Sequence, residues 1–297
     1  MKTKKLIPHS LLSMAIAALI ITGCKKNDTT VEDYTADSAG MYDQSVADMS
    51  YDDAGNVADE GVEARTSATP IPEENLIQTS CATVTIDTMV NPHTAAIIFS
   101  GTTQNPCLGK DGNYRSGEID ITWTGRYRDA GSTHTITFNN YYLNFNKIEG
   151  TKTVTNNGYN TAGHLTFSIS VNGTVTIDPQ YSYNGTGGTI TYTSTRNREW
   201  IAGETTWQWN DDIYLIDGTA SGTTTTGAAF SMSTAASSPL RKEIGFPHFT
   251  SGILNITLSG KPDRIIDYSY LNGAKDDLAR VTVNGHTFTI KLGRKLH

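Results

Sequence analysis

Short segments in which apolar and polar residues alternate recur through residues 76–297, with Gly or Asn between them about every eight to twelve residues. In the clearest one, over 118–124, Ile119, Ile121 and Trp123 fall on one face and polar residues fall on the other. Such alternation is typical of strands that bury one face and leave the other in water. We therefore predict one all-β domain over 76–297, an antiparallel meander that closes as a sandwich or as a wide curved sheet.

Two Asn-Gly pairs predict hairpins in this domain. The pair Asn284–Gly285 fits a two-residue turn that would place Val281 opposite Phe288. At 172–174, a two-residue turn would bury neither strand face cleanly, because a slip of one residue moves every side chain to the opposite face. A three-residue loop with a bulge is predicted there instead.

The N-terminus has the pattern of an export signal. Three lysines lie within the first five residues, and the apolar run Leu11–Ile21 follows. This run is shorter than the roughly 20 residues that a membrane-spanning helix needs, so we interpret residues 1–23 as a signal peptide.

The tetrapeptide 21–24, Ile-Thr-Gly-Cys, resembles the lipobox before which lipoprotein signal peptidase cuts. The thiol of Cys24 would then carry diacylglycerol, and acyl chains on this residue would anchor the chain stably in a membrane. The alternative is an ordinary buried cysteine that happens to follow an apolar run. We expect a lipid-anchored protein of the cell envelope, and the side of the membrane that it faces is open.

Acidic residues are concentrated ahead of the predicted β domain. Residues 25–75 contain thirteen acids and three bases, whereas 76–297 contain seventeen of each. Because such an acidic, Ala-, Ser- and Gly-rich segment buries little apolar surface, 24–75 are predicted to form a flexible tether. The rough helical spacing of apolar residues over Met41–Met49 leaves a docked helix as the alternative. Neither region has the basic surface expected of a nucleic-acid-binding protein.

Two cysteines remain if Cys24 is lipidated. An even pair in an exported chain predicts a disulfide between Cys81 and Cys107. Two buried thiols are the alternative, and a metal site is disfavoured because no histidine lies at a ligand spacing from either residue.

From about Asp111 to the end, four segments carry a resemblance to a known family: Gly112–Gly117, Ile121–Gly131 (ITWTGRYRDAG), Thr135–Gly158 and Ala279–Leu292 (ARVTVNGHTFTIKL). They are similar to a family of uncharacterised β-rich lipoproteins of Bacteroidota. This resemblance implies an envelope lipoprotein, with the outer membrane as the expected location, and it implies no enzymatic mechanism.

Catalytic patterns are weak. The G-x-S-x-G elbow of serine hydrolases is absent. His134 could act as a base, but it shares a strand face with Ile136 and Phe138, which favours a core position. Glu149 and Glu199 could form a glycosidase pair only if the fold brings them together.

Two acidic pairs, Asp211–Asp212 and Asp276–Asp277, could collect a calcium ion. Asp also favours turns by bonding to its own backbone, and neither pair has the spaced acids of a calcium loop. No metal and no cofactor is predicted.

Trp207 and Trp209 would share one face of a strand, with Glu199 and Glu204 nearby in REWIAGETTWQW. If exposed, this pair could stack against sugar rings; if buried, it would be core, which the large apolar area of Trp favours. We expect an envelope lipoprotein with a structural or binding role and no chemistry of its own. A glycan-binding module is the alternative, a hydrolase is more distant, and the partner would be the membrane with a glycan or an envelope protein.

Overall fold

A computed structural model describes residues 38–66, 76, 79–182, 185–206, 211–244, 246, 248–270, 275 and 278–291. These residues form one long helix, α1 (Ser38–Thr66), a single 3-10 turn (Pro179–Tyr181) and sixteen strands. The strands are β1 (Ala82–Asp87), β2 (His93–Phe99), β3 (Cys107–Leu108), β4 (Tyr114–Trp123), β5 (Thr133–Leu143), β6 (Asn146–Tyr159), β7 (Leu165–Ile177), β8 (Gly188–Ala202), β9 (Ile213–Thr223), β10 (Ala229–Thr234), β11 (Leu240–Glu243), β12 (Phe249–Ser251), β13 (Ile253–Leu258), β14 (Arg264–Asp267), β15 (Leu278–Val283) and β16 (His286–Lys291).

All sixteen strands belong to one antiparallel sheet, which confirms the predicted fold class. The main path runs β1-β2-β4-β5-β6-β7-β8-β9-β10-β13-β14-β15-β16, with β3 beside β4 and the β11–β12 pair beside β9. The sheet is open, with β1 and β16 at its edges. The sequence left two architectures open, a sandwich and a wide curved sheet. The structure has a single wide sheet and not a two-sheet sandwich.

Most of the strands bury alternate residues on one side of the sheet, which we call the inner face. In β7, for example, Phe167 and Ile169 are buried while Ser168 and Ser170 are exposed. The opposite, outer face consists largely of Thr, Ser, Asn and charged side chains. The two faces thus correspond to the alternating apolar and polar residues of the sequence.

One of the two predicted hairpins is confirmed. At Asn284–Gly285 the chain turns with two residues, and Val281 lies opposite Phe288. The hairpin predicted at 172–174 is wrong, because β7 continues without interruption and Gly173 lies in mid-strand opposite Gly150 of β6.

The helix α1 lies on the inner face and crosses the strands. Near its start Gly40 lies against Leu258 of β13, and near its end Gly61 lies against Ile97 of β2. From β2 to β13, both included, the path has nine strands, about 38 Å measured along the sheet. The helix rises by about 32 Å over the 21 steps from Gly40 to Gly61, so it reaches across most of this width.

The prediction of a flexible tether over 24–75 is therefore wrong over Ser38–Thr66. Here the chain forms the docked helix that was the alternative. A helix so rich in Asp, Ser and Gly would be marginal alone, and it gains its stability by packing. A buried stripe at helical spacing faces the sheet, made of Ala47, Tyr51, Ala54, Ala58 and Val62. Among the described residues, no helix is long and apolar enough to cross a bilayer.

A disulfide joins Cys81, just before β1, to Cys107 in β3. The two Cα atoms are 6.3 Å apart, and the bridge closes a loop with a sequence separation of 26. Because β1 is an edge strand and β3 pairs only with β4, the bridge fastens the β1 edge to the body of the sheet.

Reducing this disulfide should lower the midpoint of thermal unfolding by several degrees. The reason is that closing a loop of this length stabilises the fold by about 3 to 4 kcal/mol in the chain-entropy model. Calorimetry with and without reductant measures the shift, and thiol counting on the unfolded, unreduced chain tests the bridge. Free thiols at Cys81 and Cys107 would contradict it.

Candidate functional site

Three basic side chains point inward beneath α1 from alternate strands of the sheet, β4, β6 and β8. Arg115 in β4, Lys152 in β6 and Arg196 in β8 are only 1%, 3% and 7% exposed. A buried base is costly unless a carboxylate compensates its charge. The acidic residues of α1 supply these carboxylates.

Arg115 lies between two carboxylates. Its Nε and Nη2 donate to Asp53 of α1 at 3.1 and 2.5 Å, and its Nη1 and Nη2 donate to Asp111 at 3.0 and 2.6 Å. The Asn113 amide also donates to both carboxylates. Burial opposes the charge of Arg115, but the carboxylates outweigh burial and hold the Arg115 pKa above its usual value. This bidentate arrangement is the strongest class of ionic hydrogen bond.

Arg196 forms a second buried cluster with Asp48 of α1. Its Nη2 lies 2.7 Å from Asp48 Oδ1, and the Tyr192 hydroxyl donates to the same oxygen at 2.6 Å. Burial, and then the charge of Asp48, raise the pKa of Tyr192 well above its usual value. The hydroxyl therefore stays protonated and serves as a donor.

Two more carboxylates secure the ends of α1. Asp43 accepts hydrogen bonds from the backbone and the hydroxyl of Thr225, at 2.8 and 2.7 Å. Glu60 accepts the corresponding pair from Thr79, both at 2.7 Å. Both carboxylates are almost fully buried.

Tyr51 occupies a notch in the sheet at the middle of α1. Its hydroxyl donates to the Glu149 carbonyl of β6 at 2.7 Å, and its ring stacks on Tyr192. The notch exists because Gly150 and Gly173 face each other here, and a side chain at Gly173 would collide with the Tyr51 hydroxyl. The glycine that suggested a turn is thus needed for close approach of the helix.

A small cleft lies between α1 and the inner face among the described residues. It has a volume of about 40 Å³ and is lined by Tyr51, Lys152, Tyr192 and Arg196 among others. This volume holds only a few water molecules. At this cleft the helix fills the inner face of the sheet and leaves no room for a larger ligand.

His134 lies in the core, as its strand pattern favours. It is 4% exposed, and its Nε2 lies 3.2 Å from the Gly125 carbonyl. Burial lowers the pKa of His134 although Asp59 of α1 opposes this effect. The described structure therefore gives His134 a packing role beside α1.

Glu149 and Glu199 do not form a pair. Glu149 lies opposite Thr174 and Glu199 opposite Thr166, eight residues apart along β7. This corresponds to about 26 Å, far beyond the separation of glycosidase carboxylates. Glu199 instead accepts from Asn160 and lies 2.6 Å from His164 Nδ1.

The tryptophan segment is only partly described. Trp200 is buried, 3% exposed, with its ring against Tyr214. Trp207 and Trp209 lie outside the described residues, as do Cys24 and the pair Asp276–Asp277.

The other acidic pair, Asp211–Asp212, is divided between two hydrogen-bonding partners. Asp211 accepts from the Thr206 hydroxyl, and Asp212 accepts from the Tyr214 hydroxyl at 3.2 Å. Burial raises the pKa of Asp212 to about 6, and the charge of Asp211 adds to this effect. In the part of the chain that the structure describes, no three His, Cys, Asp or Glu side chains come together as metal ligands.

No protein-family model matches this chain, and neither does any curated protein or any solved structure. The resemblance to Bacteroidota lipoproteins therefore stays a prediction.

Removing one member of a buried ion pair should destabilise the fold strongly. We expect Asp48→Ala to lower the free energy of unfolding by about 3 to 5 kcal/mol, because Arg196 would remain buried without its carboxylate. The double variant Asp48→Ala/Arg196→Met should lose less. Urea unfolding measures both.

The control is Glu149→Ala, which breaks the solvent-exposed pair with Lys147 and should change the urea midpoint little. If the double variant is at least as unstable as the single one, the Asp48–Arg196 interaction is not what seats α1.

Asp212 should make stability depend on pH. Because its folded pKa, about 6, exceeds the unfolded value, the fold favours the protonated form. Stability should therefore fall as pH rises from about 4 to about 6, by on the order of 2 kcal/mol. In Asp212→Asn this part of the dependence should vanish.

Urea midpoints from pH 4 to 7 test this, with Asp87→Asn, an exposed carboxylate before the β1–β2 turn, as the control. Parallel pH profiles for wild type and Asp212→Asn would exclude Asp212 as the source.

Proposed function

We propose that the chain is a lipid-anchored protein of the bacterial cell envelope with a non-enzymatic structural or binding role. The observation that carries the proposal is the N-terminal order of lysines, an apolar run over Leu11–Ile21 and a lipobox-like tetrapeptide ending in Cys24. The outer membrane is the proposed location, on the strength of the family resemblance.

The docking of α1 on the sheet, close in sequence to Cys24, supports this role. Only residues 25–37 separate Cys24 from the helix, and even when fully extended they reach about 45 Å. Because buried carboxylates fasten α1 to the sheet, an anchor at Cys24 would keep the start of α1 within this distance of the bilayer and the β domain directly behind it.

The contents of the inner face favour binding or structure over catalysis. The three buried bases described beneath α1 lie beside the carboxylates of Asp48, Asp52, Asp53 and Asp111, and the cleft described beside α1 is small. The glycosidase alternative loses its basis because Glu149 and Glu199 are far apart along the sheet.

The substitution Cys24→Ala should abolish lipid labelling. In cells supplied with labelled palmitate, the wild-type protein should incorporate label and partition into the detergent phase, because Cys24 supplies the thiol that is acylated. The variant should remain unlabelled and leave the membrane fraction. Thr22→Ala, which keeps a small residue before the cut, is the matched control and should behave like wild type. If Cys24→Ala incorporates as much label as the wild-type protein, lipidation at this residue is refuted.

A further inference from the structure

The outer face contains a groove across β8, β9, β10 and β13. Its volume is about 400 Å³, within the range of ligand-binding pockets. Two rows of side chains, each crossing the four strands, form its floor. The first row is Thr193, Ser221, Ser231 and Thr257, and the second is Thr195, Thr219, Ser233 and Asn255.

The groove has distinct ends. Beyond the first row, the hydroxyls of Thr191 and Thr223 hydrogen-bond to each other at 2.9 Å. Beyond the second row, the Asn197 amide donates to Asp217 at 3.0 Å. On β8 and β9 these side chains therefore have partners within the sheet, which distinguishes them from the side chains of the groove.

Within the groove the polar side chains do not satisfy one another. Thr257 donates to Asp263, but the other seven side chains make no hydrogen bond to any residue that the structure describes. Each hydroxyl can donate one hydrogen bond and accept others, and the Asn255 amide can do both. The floor is therefore an array of unused donors and acceptors.

The array suits a particular ligand chemistry. None of its side chains is charged, so it offers nothing specific to an anion or a cation. Neighbouring strands are about 4.8 Å apart and alternate residues about 6.8 Å, which gives rows roughly 14 Å long. A ligand with many neutral hydroxyls at short intervals would match both the spacing and the mixed donor and acceptor character.

We propose that this outer groove binds a neutral oligosaccharide segment of a polysaccharide. The groove residues do not include Trp207 or Trp209, which lie outside the described residues, and the groove gives the glycan-binding role a location among the described ones. It rests on the geometry of four strands and does not depend on the lipid anchor.

The test uses the full chain in detergent micelles and measures binding to immobilised mannan, xylan and dextran, with anionic polygalacturonate for comparison. The variant Thr195→Val/Thr219→Val removes two facing hydroxyls while keeping side-chain shape. Wild type should bind at least one neutral polymer and not polygalacturonate. The variant should lose about tenfold or more in affinity, as expected for two lost hydrogen bonds.

The matched control is Thr135→Val/Thr153→Val, a facing pair on the same sheet face in β5 and β6. It should bind like wild type, and urea midpoints should show all three proteins folded. The proposal is overturned if none of the three neutral polymers binds, if polygalacturonate binds equally well, or if both double variants behave alike. Palmitate labelling does not involve the groove, so failure here leaves the anchoring proposal to its own test.

Discussion

The pairing of acidic helix residues with buried bases of the sheet is the interaction on which the rest of this structure depends. A single sheet with one apolar face needs a second layer to cover it. Here α1 is that layer, and the inner face also carries charges that apolar packing alone would not compensate. The contacts of Asp48 and Asp53 with Arg196 and Arg115 solve both problems, because each brings a helix turn against the sheet.

The β domain could be predicted from the sequence because the signal for its strands is local. Alternation of apolar and polar residues is a property of neighbouring positions, and Asn284–Gly285 has the backbone preferences that a two-residue turn demands. The strand assignments and the register of that hairpin needed no knowledge of distant contacts. At 172–174 the Asn-Gly pair led to a wrong prediction of a turn. Gly173 is there because a side chain would collide with Tyr51, which is distant in the sequence.

The helix was harder to predict because its buried face mixes small apolar residues with acidic ones. Asp43, Asp48 and Glu60 face the protein, so the usual contrast between apolar and charged sides is weak. The available signal lay in the sheet, where Lys152 and Arg196 occupy positions in phase with apolar neighbours of the same strand. Two bases at inward positions require acidic partners, and residues 25–75 are the acid-rich part of the chain. Matching the inward-facing bases of the strands to the acids of this segment would have indicated that the segment docks on the sheet. The composition of the segment alone did not indicate this.

The position of α1 also has a mechanical consequence. A tensile load applied at Ser38 would act along the helix axis and across the strands that the helix spans. Its contacts with Thr225, Arg196, Arg115 and Thr79 would then be sheared together, whereas a strand at a sheet edge can be peeled away one hydrogen bond at a time. If the chain is held at its N-terminus, this geometry would distribute drag or tension over the nine strands from β2 to β13 and spare the open edges of the sheet.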